Sequence, residues 1–145
     1  MTEKFKSITK EDDSLLFNKK KINLTYTICI VKPSVAIDNK KTQEIISKLE
    51  EEGFEVRFVL NRQLTEQEAQ NLYYRHKNKD YFKELVIYNS CGPSLVMLLS
   101  HQKEDPIAKL KGMMGNKNPE VAKEEAPESF RALYGETLVK NAIYG

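Results

Sequence analysis

A chain of 145 residues, 40% apolar and 30% charged, is long enough for one domain around a single core. Its 23 basic residues nearly balance 21 acidic ones, so the net charge of +2 calls for neither nucleic acid nor an anionic membrane as partner. There is no apolar leader core, and no apolar run approaches the ~20 residues that span a bilayer, so a cytoplasmic protein is expected. Cys29 and Cys91 lack metal-ligand spacing. They read as two buried free thiols of a reducing compartment, with no metal site.

Residues 1–23 form a polar N-terminal arm, and residues 24–145 form the folded domain. The arm carries one apolar island, Leu15-Leu16-Phe17, suited to packing on the domain or on a partner. Lys19-Lys20-Lys21 reads as a solvated linker, with an acidic partner surface as the alternative. Tyr26 to Val31 is a β-branched and aromatic run stopped by Lys32-Pro33, which predicts a buried strand. Residues 41–52 put Ile45, Ile46 and Leu49 on one helical face and stop at Gly53. In residues 54–60, Phe54, Val56, Phe58 and Leu60 alternate with polar neighbours, predicting a strand with one buried face. Thr65 and Glu68 have capping-box spacing, and that helix runs past Tyr73 to about His76. Asp80 is positioned to cap a helix bearing Phe82, Leu85 and Val86. A third buried strand spans residues 95–99. Asp105-Pro106 opens a helix with Ile107 and Leu110 inward. Residues 127–135 fit one or two helical turns, and residues 141–145 a fourth strand. The order β-α-β-(αα)-β-α-β predicts an α+β sandwich. Its core is ferredoxin-like, a four-stranded antiparallel sheet with helices packed on it.

Several short runs resemble one family. Ile30-Val31-Lys32-Pro33 comes first. Phe82, Leu85 and Val86 ahead of Cys91-Gly92-Pro93 come next, then Gly115, Asn118 and Pro119. Ser129-Phe130-Arg131-Ala132-Leu133-Tyr134-Gly135 is followed by Asn141, Tyr144 and Gly145. In this order and spacing, over residues 26–145, they resemble the nucleoside diphosphate kinases. The segment from Ala126 to the Arg carries a short insertion similar to the family's divergent ciliary and flagellar branch.

The resemblance implies a set of positions. Lys32 matches a phosphate-proximal Lys, Arg131 a phosphate Arg, and Asn141 an Asn that meets sugar and phosphate. Tyr73 matches the Tyr that positions the nucleophile, although its place on an apolar helix face suits plain packing equally. Tyr81 and Leu85 match the pair that clamps the base. Lys111 stands for a second phosphate Arg and keeps charge without the bidentate fork. Lys117 replaces a phosphate-binding Thr, and Ser34 an Asp. Tyr144 takes the position of the family's phosphorylated His.

These departures imply a catalytically inactive module, a structural or scaffolding part of a larger protein assembly such as a ciliary axoneme. The alternatives are a regulatory nucleotide-binding module and an active kinase. No cofactor is required; Mg-ATP or Mg-GTP would be held weakly. The Pro119 loop resembles the family's oligomer contact, leaving a homo-oligomer open. The two histidines, His76 and His101, are expected in solvated loops.

Overall fold

The computed structural model describes residues 25–145. The N-terminal arm, residues 1–23, therefore lies outside the described residues. Strand β1 (Tyr26–Val31) is the predicted apolar run. Pro33 does more than end it. It takes the first position of a short helix, α1 (Pro33–Ala36), where a missing N–H costs nothing. Asp38 then caps α2 (Asn39–Glu51) by accepting from the Lys40 and Lys41 amides at 3.0 and 3.2 Å. Ile45 and Leu49 are fully buried, with Ile46 packed beside them.

Strand β2 (Phe54–Gln63) departs from simple alternation. Its register against the next strand shifts between Val56 and Phe58. An extra residue there resets which side chains face inward. Leu60, expected in the core, is consequently 40% exposed. Helix α3 (Glu66–Leu72) begins in the predicted capping box: Thr65 Oγ1 accepts from the Glu68 amide and Glu68 accepts from the Thr65 amide, each at 3.0 Å. It tightens into a 3-10 turn, Tyr74–His76. Helix α4 (Phe82–Ser90) starts after Tyr81 with no side-chain cap, so Asp80 does not play the expected role.

Strand β3 (Pro93–His101) leads to α5 (Pro106–Met114), capped by Asp105 at 3.0 Å from the Ile107 amide. Leu110 is buried as predicted, whereas Ile107 is exposed. Asn118 caps α6 (Pro119–Glu125) and Ser129 caps α7 (Phe130–Tyr134). Strand β4 contracts to Ile143–Tyr144. The strand expected over residues 141–145 cannot start at Asn141, because Ala142 holds a φ of +80°, outside extended backbone.

The sheet order is β2-β3-β1-β4, antiparallel throughout, the ferredoxin-like arrangement. One face carries Cys29, Val31, Met97, Leu99 and Ile143 into the main core, against Ile45, Leu49, Leu110 and Phe130. A second cluster gathers Tyr73, Leu85, Tyr88 and Val139. Cys29 is buried, and burial pushes its thiol up to about 12. Cys91 is exposed, so the reading of two buried thiols holds for one. No helix among the described residues is long and apolar enough to cross a membrane.

His101 is no solvated loop residue either. It ends β3 buried, edge-on to Phe54 with ring centroids 5.2 Å apart. Nδ1 accepts from the Lys103 and Glu104 amides at 3.2 and 3.0 Å. That leaves Nε2 to donate to the Glu52 carbonyl at 2.8 Å. One ring thus ties the end of α2 to the turn before α5. Gly53 makes room for it, with a φ of +94° and no Cβ to sit 2.6 Å from Nε2.

Candidate functional site

Lys32 closes β1 at the centre of the site. Its amide donates to the Ala142 carbonyl at 2.8 Å, fixing the C-terminal turn against the strand. Its Nζ donates to Asn141 Oδ1 at 2.7 Å and lies 5.2 and 5.9 Å from the ring centroids of Tyr73 and Tyr88. The side chain is 2% exposed. Burial pulls its ammonium down to about 7, and the Arg131 guanidinium adds to the effect.

Arg131 arrives from α7. It donates to the carbonyls of Gly115 and Ile143, at 3.0 Å each, while its Nε is buried without a partner. Burial lowers its pKa too. Gly115 must be glycine to present that carbonyl: its φ is +81°, and a Cβ would run into the Ser129 side chain. Asn141 completes the link, its Nδ2 donating to the Lys117 carbonyl at 3.0 Å.

Asn141 and Ile143 are joined by a carbonyl-to-amide bond of 3.0 Å around Ala142, a three-residue turn with positive φ. Such backbone costs on the order of 1–3 kcal/mol and persists where its surroundings over-determine it. Ala142 is fully buried, held by Lys32 on one side and by Arg131, through Ile143, on the other. The turn delivers Tyr144 opposite Ile30 on β1. The half-buried Tyr144 ring stands edge-on to Tyr73, with centroids 5.7 Å apart and planes at 81°. Tyr73 is buried, which raises its pKa, and its hydroxyl reaches Asn89 at 3.4 Å.

The fold thus brings Lys32, Tyr73, Arg131, Asn141 and Tyr144 into one cluster. The remaining positions fare differently. Lys111 and Lys117 are exposed. Leu85 is 4% exposed and packed in the Tyr73 cluster, so it offers little surface to a base. Tyr81 turns its hydroxyl onto His76 Nδ1 at 2.9 Å. His76 is therefore part of the site's rim, its ring 6.2 Å from that of Tyr73, and not a loop residue in water. Its position three residues after Tyr73, one helical turn on, was the available signal. Tyr88, hydrogen-bonded to Ser34, also escaped notice; Ser34 here serves the protein's own packing.

A buried Lys, an Arg and an Asn are joined at a strand end, with a tyrosine beside them. Residues 25–145 match the nucleoside diphosphate kinase family, and the chain belongs to it. It is 36% identical over 122 residues to a nucleoside diphosphate kinase of Sorangium cellulosum, covering 84% of this chain and 81% of that one. It is 37% identical over 137 residues to Thioredoxin domain-containing protein 6 of Xenopus laevis. That match takes 93% of this chain but spans only 21% of that protein's length. The fold superposes on the Aquifex aeolicus nucleoside diphosphate kinase with a TM-score of 0.76 at 32% identity, over 84% of each chain.

Proposed function

We propose that this is a catalytically silent member of the family, a structural module within a larger protein assembly. The observation that carries the reading is that the site is closed on itself. Lys32 donates to Asn141, and Arg131 to two backbone carbonyls. A phosphate drawing on the terminal nitrogens of Arg131 would compete with the bonds to Gly115 and Ile143, and a buried acceptor left unpaired costs ~1–3 kcal/mol. Burial also pulls the Lys32 ammonium well below its ordinary pKa, which weakens it as a fixed cation for phosphate. Lys117 contributes its carbonyl to this network and leaves its ammonium exposed.

Tyr144 supports the same reading. A neutral imidazole is a nucleophile at pH 7, whereas a phenol must first lose its proton to a base. A phosphotyrosine ester would also be a more stable sink than a phosphohistidine. The insertion ahead of Arg131 resembles the ciliary and flagellar branch, so an axonemal assembly is the setting proposed. That a relative named for a thioredoxin domain contains such a unit as a small part fits a building block. Incubation with labelled ATP and then GDP should leave the protein unlabelled and GTP at blank level. Turnover by homogeneous protein, abolished in Tyr144→Phe, would overturn the proposal.

A further inference from the structure

The sheet has a second face, and part of it lies open. Directly opposed residues of an antiparallel pair share a face. Ile28 pairs with Leu98, and Ile30 with Val96 and Tyr144; Leu60 pairs with Val96 from the other side. These six line an open groove of about 730 Å³, bounded by Leu72 of α3. Ile28 is 48% and Leu60 40% exposed, at positions where a sheet with one covered face would carry polar residues. This apolar surface offers a place for a small apolar segment to dock. It borders the polar cluster around Lys32, sharing Tyr144 with it, but its lining is mostly aliphatic.

We infer that this groove is the seat of Leu15-Leu16-Phe17 from the same chain. The inference goes beyond the proposed function and does not rest on it. Nine residue steps separate Phe17 from Tyr26, which lies at the groove's edge. Nine residues reach up to roughly 30 Å, more than the roughly 20 Å length of β1. The island is flanked by Glu11-Asp12-Asp13 and Lys19-Lys20-Lys21, so it can be buried while its charged neighbours stay in water. Arg62 and Glu68, already paired, stand at the groove. So short a tether holds the segment at an effective concentration on the order of millimolar, ahead of a second copy or a free partner.

The test uses the full chain with Cys91→Ser, Leu16→Cys and Ile28→Cys. Buried Cys29 stays inert. A short bis-maleimide should join the two new thiols within one molecule, with a yield that is independent of protein concentration and falls several-fold when Leu15 and Phe17 are also changed to Ser. Links that join two copies, or two reactive thiols that never link, overturn the inference. As a second arm, Leu15→Ser, Leu16→Ser and Phe17→Ser together leave the groove's own residues intact. That variant should keep its circular dichroism and bind several-fold more of a dye specific for exposed apolar surface. Unchanged dye binding contradicts the inference. So does a parent chain whose dye binding is already high and falls only when another protein is added.

Discussion

Lys32 is the residue on which the site's electrostatics turn. Its ordinary pKa is near 10.5 and its folded value about 7. Between these values the unfolded chain holds a proton that the folded chain has released, so stability rises with pH across that window. Below pH 7 both states are charged, and folding bears the full cost of burying the ammonium. Cys29 and Tyr73, whose folded values are raised, oppose the trend only once the unfolded thiol and phenol begin to ionise. Urea unfolding at pH 7, 8 and 9 should therefore show a rise of up to about 1.4 kcal/mol per unit assignable to this group. Lys32→Met should lack that rise; equal slopes in the two proteins would contradict the burial account. A second expectation concerns Tyr144→His. With Lys111 and Lys117 in solvent and Arg131 held by carbonyls, the new imidazole would face no preorganised phosphate cradle. Each such donor is worth ~2.7–4 kcal/mol at a transfer site. The single variant should show no family-like turnover in a steady-state ATP/GDP assay. The sequence resemblance alone assigns Lys32, Arg131, Asn141 and Tyr144 to one cluster. It did not reveal that Arg131 binds the protein itself, because backbone carbonyl acceptors leave no mark in the side-chain sequence.

Elements were legible where the sequence carries a local cause. Asp105-Pro106 and the Thr65–Glu68 box start helices where expected, and Ile45 and Leu49 face the core. Failures occurred where a distant partner decides. The bulge near Arg57 depends on pairing with β3, and it turned Leu60 outward. Strand β4 is cut short by a turn at Ala142 that only its packing enforces. His101 looked like a loop residue because its three partners are backbone groups of Glu52, Lys103 and Glu104. Its importance can be measured through Gly53. Gly53→Ala imposes an unfavourable φ and drives a methyl into the His101 ring, so it should lower stability by about 2–3 kcal/mol. In a His101→Ala background the ring is gone and the added cost of Gly53→Ala should fall by ~0.5–3 kcal/mol. Strict additivity in denaturant unfolding would show that the two residues are not coupled.

At the scale of the molecule, periodicity and spaced motifs were enough for the fold. Strand lengths, helix faces and the β-α-β-(αα)-β-α-β order leave few antiparallel topologies, and the sheet order β2-β3-β1-β4 is the ferredoxin-like one. The open groove was not legible, because β1 is apolar on both faces and its sequence does not say which face is left uncovered. The two faces divide the molecule's tasks: one is packed into the core, while the other carries the polar cluster around Lys32 beside the apolar groove. A module of this kind would contribute surface to an assembly without chemistry. Calorimetric titration of the full chain with Mg-ATP and with Mg-GDP tests that most directly. The closed network predicts no heat, or binding too weak to saturate. A micromolar dissociation constant that disappears in Arg131→Ala would contradict it and make this a nucleotide-responsive domain.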